Sequence, residues 1–346
     1  MHLISFLLAS LAAFSHSGFL QADTECPTVT TVGEDRRSDK TKLRLVQYNV
    51  EWLFLDYYAA SNCPGDGCTW GNESEAQIHM NYVTNIVKEL NPDIINFCEI
   101  EGCDELNSLK QNLNDSTYKP YLKKGTDTAT GQNVGFLSRV DPTISLQRTE
   151  DRYTYPIYGS TCEYKGTTGS YGVSKHYYTE FKINGIPVAL IGAHLLAIPT
   201  DSTRCAEREA QAQVLQNLIY DFVQEDYEII MIGDFNDYDG VVLDSNSDKP
   251  TSKVLEILKG NSGDLSNKYQ LYSAAETIKQ SERYSDWYDP NGDCKSSSNE
   301  FSMIDHVLVS DYLRNHIVNA SIYHGYGEYC GKYNSDHYPV VVDFLF

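Results

Sequence analysis

Residues 228–236 read Glu-Ile-Ile-Met-Ile-Gly-Asp-Phe-Asn: four consecutive large apolar side chains, a glycine, then Asp234 and Asn236 two positions apart. A short apolar run of this kind reads as a strand buried on both faces. Oxygen-bearing side chains at i and i+2 fall on one side of such a strand. A carboxylate beside a core is costly unless it is paired or binds a metal. The same oddity recurs four times. Gln47-Tyr-Asn-Val-Glu51 puts Asn49 and Glu51 on one strand face, and Phe97-Cys98-Glu99 ends an apolar run in an acid. Ser302-Met-Ile-Asp305-His306-Val-Leu-Val sets an Asp inside a strand, and Ser335-Asp336-His337-Tyr-Pro opens the last one. One acid at a strand end commonly caps a turn. Five such segments point instead to a hard-cation site with oxygen ligands, Mg²⁺ or similar, and histidines for proton transfer. Few Lys or Arg accompany them, so the cation is expected to supply the positive charge.

Outward from these segments, short apolar strands alternate with amphipathic helices. Strands are expected at Leu43–Val50, Asp93–Glu99, Val134–Ser138, Ser302–Ser310 and Tyr338–Phe346. Thr179–Ile183 and Ile186–His194 form a hairpin about Asn184-Gly185, a favoured tight-turn dipeptide. Ser74–Leu90 reads as a helix with Ser74 and Gln77 as a capping box, and with His79, Tyr82, Val83, Ile86, Val87 and Leu90 on one face. A short helix carries Leu106, Leu109 and Leu113; Ala206–Val223 is the longest later one. Residues 151–178, rich in Tyr, Gly and Thr, read as loop or irregular hairpin. No repeat or linker divides the chain, so one strand-rich domain over 43–346, with helices outside, is expected after an extension at 23–42.

The 346 residues carry 27 Lys+Arg against 48 Asp+Glu, a formal charge of −21. That excludes a dense, sequence-independent grip on polyanions through basic patches, because such binding works by neutralising phosphates. A nucleic-acid substrate held at one metal site stays open. The apolar stretch Leu3–Phe14 is too short to span a bilayer and fits a signal-peptide core, with cleavage near residue 17 or 22. A secreted protein without a stable membrane anchor, monomeric, is therefore expected. Nine cysteines agree. Cys63 and Cys68 flank a Pro-Gly-Asp-Gly turn; Cys162 with Cys205 and Cys294 with Cys330 are further candidate pairs, and Cys98, in an apolar run, is the candidate free thiol. Asn72, Asn114 and Asn319 begin glycosylation sequons.

In order along the chain, Tyr48-Asn-Val-Glu-Trp-Leu-Phe54, the Glu99 strand, Gly192-Ala-His194-Leu, Gly233-Asp-Phe-Asn236, Ile304-Asp-His-Val-Leu308 and Ser335-Asp-His337 resemble the endonuclease/exonuclease/phosphatase superfamily, which has the fold of DNase I. The resemblance runs from about Leu43 to Phe346 and is nearest to the secreted nucleases. It implies an α/β fold, a four-layer α/β/β/α sandwich with two mixed β-sheets face to face. It further implies Glu99 as principal metal ligand, with Asn49, Glu51 and Asp336 completing or adjoining its shell. His337 resembles the family's general base, oriented by Asp305; Asp234 would orient the attacking water or steady the imidazolium, and Asn236 would hold a phosphate oxygen. His194 would stabilise the phosphorane or help protonate the leaving oxygen. The glutamate that partners this histidine in DNase I is matched here by Gln132-Asn133, so a hydrogen-bonding role is the expectation.

Lys175, Arg204 and Arg208 are candidate phosphate contacts. The alternatives are a solvated lysine and, for the arginines, an ion pair with Glu207 or Asp201. His79 is expected in the core and His306 pointing away from the site. The implied activity is a secreted nuclease that uses Mg²⁺ or Mn²⁺ to hydrolyse DNA or RNA, leaving a 5′-phosphate. A secreted sphingomyelin phosphodiesterase, or another phosphoester hydrolase, is the alternative on the same scaffold. Lipid work calls for an exposed apolar loop, of which only Tyr57-Tyr58 and Trp70 give a hint. An inactive secreted binding protein would tolerate loss of site groups, yet all the central ones are present. A structural Ca²⁺ fits so acidic a chain, though no EF-hand pattern locates one.

Overall fold

Side-chain alternation along the strands sorts the apolar residues into three slabs of core, and the slabs define four layers. The computed structural model describes residues 25–27, 33–64, 68–198, 201–327 and 333–346. The expected signal peptide and both cleavage positions lie outside them. Strands are numbered in chain order. The first sheet comprises β1 (Lys42–Leu53), β2 (Ile94–Ile100), β3 (Lys119–Leu122), β4 (Asn133–Ser138), β14 (Ile317–Ile322) and β15 (Val340–Leu345), in the order β14-β15-β1-β2-β4-β3. The second comprises β7 (Lys175–Ile183), β8 (Ile186–His194), β9 (Glu228–Asp234), β10 (Leu271–Ser273) and β13 (Asp305–Ser310), in the order β10-β13-β9-β8-β7. Both are mixed: β1 with β2 and β8 with β9 are parallel, and the other pairs are antiparallel. β5 (Arg152–Tyr155) with β6 (Gly169–Gly172), and β11 (Asp286–Trp287) with β12 (Phe301–Ser302), make two small ribbons.

Leu45, Ile94 and Phe136 of the first sheet pack against Val188, Leu190, Ile230 and Val307 of the second. Their chain neighbours face outward. Val46, Ile95 and Phe97 meet the Glu73–Leu90 helix through Met80, Val83 and Val87, and the Cys103–Leu113 helix through Leu106 and Leu109. Ala189, Ile191, Ile229 and Met231 meet Leu215, Ile219 and Phe222 of the Ser202–Gln224 helix. The result is helix, sheet, sheet, helix: the four-layer sandwich that the resemblance implies.

Several local expectations shift. The Glu73–Leu90 helix is capped by Asn72, whose side chain accepts from the Glu75 N–H, not by Ser74, which lies inside the first turn. Glu75 in turn accepts from the Gly71 N–H. Tyr82 faces solvent, 41% exposed, at the edge of the apolar stripe. The expected Ser302–Ser310 strand breaks at Met303-Ile304, because the Ile304 and Asp305 N–H groups turn to the Ser285 hydroxyl instead of a ladder. Residues 151–178 contain the β5/β6 ribbon. Disulfides join Cys63 to Cys68 and Cys162 to Cys205, and a third, unforeseen one ties Cys26 of the extension to Cys103. Cys294 is disulfide-bonded, but Cys330, its expected partner, lies outside the described residues. Cys98 is a buried free thiol.

Candidate active site

Strand register places the acids of the second sheet side by side: Asp234 stands opposite His194 on β8 and opposite Asp305 on β13. The first sheet reaches the same place by breaking its own alternation. On β2, Phe97 faces the outer helices, so a regular strand would send Glu99 the same way. Instead Glu99 adopts φ +67 and both neighbouring strands skip it, pairing Cys98 and then Ile100. β1 is interrupted between Asn49 and Leu53, where Glu51 and Trp52 have φ +49 and +51. Left-handed backbone at non-glycine residues costs ~1–3 kcal/mol each and persists only where the surroundings enforce it. Here the Trp52 N–H donates to Glu99 Oε2 at 3.1 Å, and the Glu51 N–H to Asn49 Oδ1 at 3.1 Å. The distortions leave the two carboxylates near enough for the charge of Glu99 to raise the Glu51 carboxyl.

His337 is the hub. Its Nδ1 lies 2.7 Å from Asp305 Oδ2, a carboxylate that also accepts from the Ser285 hydroxyl at 3.0 Å and from Gln47 Nε2 at 3.0 Å. Its Nε2 is ringed by Asp286 at 3.7 Å, Asp336 at 3.9 Å and Asp234 at 4.0 Å. Asn49 Nδ2 donates to Asp234 at 3.0 Å and to Glu99 Oε1 at 3.3 Å. Asn49 Oδ1 accepts from the Glu51 N–H, and its Nδ2 also lies 3.4 Å from His337 Nε2. Glu51 accepts from the Thr69 hydroxyl and the Asp336 N–H. His194 Nε2 lies 3.6 Å from Asp234 and 4.0 Å from Glu99, while its buried Nδ1 has no partner. Among the described residues, acids therefore approach this histidine only on its Nε2 side.

Charge is unbalanced here. Burial pushes the carboxyls of Glu51, Glu99 and Asp336 above their ordinary range, and mutual repulsion between Glu51 and Asp336 adds to it. Asp234 is pushed up to about 8 by burial and Asp305, and Asp286 to about 7 by burial. Burial would lower His337, but Asp305, Asp336 and Asp286 override it and hold the imidazole well above its usual value. His194, buried with Lys175 and His337 nearby, is held well below, and so neutral. A cluster with this many acids and so little positive charge fits a divalent cation in its donor set and its electrostatics. One oxygen from each of Asp286 and Asp336 and a nitrogen of His337 lie within 4.8 Å of one another.

The remaining expected residues divide. Lys175 opens β7 opposite His194 and donates to Gln132 Oε1 at 3.0 Å; its charge reaches Glu99 and His194. Asn236, at φ +51, donates its amide to the Leu195 carbonyl, and its N–H to Asp234. Arg204, in the first helical turn, lies with its charge beside Tyr171 of β6. Arg208 is fully buried and cannot meet a substrate. It donates to the Leu196 carbonyl and stands 3.8 Å from Asp237, because helical periodicity puts it with Cys205, Ala212 and Leu215 on the inward face. Neither Glu207 nor Asp201 is its partner. His79 is buried, bonded to the Val50 and Tyr333 carbonyls; His306 is bonded to the Asp237 carbonyl, away from the cluster.

Sequence reasoning missed Asp286 and Ser285. Asp286 opens a two-residue strand without the apolar run that marked the others and pairs with His337 through an isolated bridge, and Ser285, just before that strand, reaches the site through Asp305.

A family model described as "Endonuclease/Exonuclease/phosphatase family" matches residues 46–325. No curated protein matches the sequence. Among solved structures, the chain is similar to a 3′-5′ exonuclease from Neisseria meningitidis (14% identity, 88% of this chain, 100% of that one, TM-score 0.57). It is also similar to a mannosyl-6-phosphatase from Bacteroides thetaiotaomicron (16%, 88% and 100%, TM-score 0.51) and to truncated TDP2 from Caenorhabditis elegans (14%, 88% and 98%, TM-score 0.51). At these identities the likeness is one of fold.

Proposed function

The chain belongs to the endonuclease/exonuclease/phosphatase family, and from that premise we propose that it is a secreted phosphodiesterase dependent on Mg²⁺ or Mn²⁺, a nuclease acting on DNA or RNA. The observation that carries the reading is the 2.7 Å Asp305–His337 pair, whose Nε2, 3.4 Å from Asn49 Nδ2, faces a ring of acids. Asp305 holds the Nδ1 proton, which leaves Nε2 to accept a proton from the attacking water. Asp234 lies where it orients that water or steadies the imidazolium. Neutral His194 acts as a hydrogen-bonding group toward the phosphoryl oxygens, and the remaining Asn236 amide N–H holds one of them. Lys175, and Arg204 on the flank, suit neighbouring phosphates. Glu99, with Asn49, Glu51 and Asp336 completing or adjoining the shell, would hold a divalent cation, which would supply the positive charge that neutralises the phosphodiester and offsets the acids that keep His337 protonated. The disulfides support an oxidising compartment, and no described helix is long and apolar enough to cross a membrane.

Purified protein should nick supercoiled plasmid with Mg²⁺ or Mn²⁺, leave 5′-phosphates, and stop with excess chelator. Activity that survives chelation refutes the metal requirement. Release of phosphocholine from sphingomyelin, without nicking, moves the substrate to lipid on the same scaffold. Binding of nucleic acid that is unaffected by His337→Ala, with no hydrolysis of any phosphoester, marks a binding protein.

A further inference from the structure

Between the two sheets, where apolar packing is expected, four fully buried polar side chains form one continuous line. The Tyr177 hydroxyl donates to Asn96 Oδ1 at 2.7 Å, Asn96 Nδ2 to Gln47 Oε1 at 2.6 Å, and Gln47 Nε2 to Asp305 Oδ1 at 3.0 Å. Every donor points the same way. A carboxylate at the end accepts only, so Gln47 must turn its amide nitrogen to Asp305. Its oxygen then faces Asn96, which must offer its own nitrogen and accept from Tyr177. Reversing Gln47 would set its oxygen against the carboxylate and its nitrogen against the Asn96 nitrogen, and reversing Asn96 alone would set two amide oxygens against each other, all within a buried line. Such a line of buried polar groups is expensive unless every member is satisfied, and then it specifies one geometry.

The fold also makes room for it. Gly192, opposite Tyr177 on β8, has no side chain where a Cβ would stand 2.4 Å from the Tyr177 ring and 2.8 Å from Asn96 Oδ1. On the far side of Asp305, Ser285 fixes the second oxygen, the one that receives His337 Nδ1.

We propose that Tyr177, Asn96 and Gln47 are positioning residues: a one-directional relay through the core that locks the orientation of the Asp305 carboxylate, and through it the Nδ1–H tautomer of His337. The proposal rests on the hydrolase reading for its kinetic consequence but not for its structural one. None of the three touches the reacting atoms, so their removal should lower kcat and leave KM unchanged. Gln47→Met keeps volume and removes the donor to Asp305; a loss of ~10-fold in kcat is expected, the lower end for groups that orient a functional side chain from behind. Tyr177→Phe should lower kcat by a smaller factor. In the Gln47→Met background it should lower it no further, because the relay is already cut. Thermal midpoints, measured alongside, identify variants that merely fold less well.

The second measurement needs no activity: the Nδ1–H proton resonance of His337 by NMR in the full chain. It should be sharp and far downfield in the wild type, and shifted or lost to exchange in Gln47→Met and Tyr177→Phe. Unchanged kcat and an unchanged resonance in a folded Gln47→Met protein would overturn the relay, as would fully multiplicative kcat losses in the double variant. If the wild type hydrolyses nothing, the hydrolase reading falls, and the resonance alone decides the relay.

Discussion

Asp305→Asn is the substitution for which the structure predicts most. The change is nearly isosteric, yet only one of the two oxygens survives, and the surroundings decide which. Gln47 Nε2 donates at 3.0 Å and is held in that orientation by Asn96, so the amide oxygen takes the Oδ1 place. The amide nitrogen then faces His337 Nδ1, where a carboxylate oxygen stood at 2.7 Å. The imidazole must accept at Nδ1 and carry its proton on Nε2, the tautomer that cannot take a proton from water. In acid–histidine pairs of this kind the amide substitution costs ~10⁴ in turnover. Four decades correspond to about 5.4 kcal/mol of transition-state stabilisation. The assay is metal-dependent plasmid nicking under single-turnover conditions, with the thermal midpoint recorded in parallel. Retention of turnover within about tenfold of wild type by a folded variant, against the ~10²–10⁴ that a general base contributes, would refute the roles given to Asp305 and His337 together.

Three further outcomes follow from other parts of the molecule. Arg208→Met should destabilise the fold by ~3 kcal/mol, since it removes the countercharge 3.8 Å from buried Asp237, which keeps its hydrogen bonds from Thr251 and Ser252, and the donor to the Leu196 carbonyl, yet leave KM for nucleic acid unchanged; a raised KM in chemical-denaturation-matched samples would restore a phosphate contact. Gly233→Ala should give little folded protein, because a Cβ there would lie 1.8 Å from the Ala193 carbonyl oxygen at a φ of +153; soluble, active variant would contradict the strand contact that precedes Asp234. Asp141 is buried, which would raise its carboxyl, but Arg36, Lys119 and Tyr121 hold it down to about 2. Its folded value lies below the unfolded one of about 3.9, so its stabilisation is present above that pH and lost as pH falls toward 2. Denaturation of wild type and Asp141→Asn should differ near neutrality and converge between about pH 4 and 2; a constant difference would contradict the ion cluster.

How much of this was legible in the residues themselves varies by kind. Strand-forming runs announced themselves through apolar continuity, and the Asn184-Gly185 turn and the amphipathic Leu106–Leu109–Leu113 stripe followed from local spacing. These properties are short-range, so a linear reading captures them. The acids of Asp234, Asp305, Glu99 and Asp336 were conspicuous because each interrupts or abuts an apolar run, and burial of charge demands an explanation whatever the fold. Tertiary structure alone decided the rest. Only the sandwich brings β1, β2, β9 and β13 to one place, and only the breaks at Glu51 and Glu99 turn their carboxylates inward. Arg208 shows the converse: an arginine near a suspected site looks like a phosphate ligand until the helix rotates it into the core. Asp286 and Gln47 carry no local mark, because their importance lies in what stands opposite them across the fold. Side-chain chemistry and local pattern are written along the chain; which groups face one another, at what distance and with how much water, is set by packing between segments hundreds of residues apart.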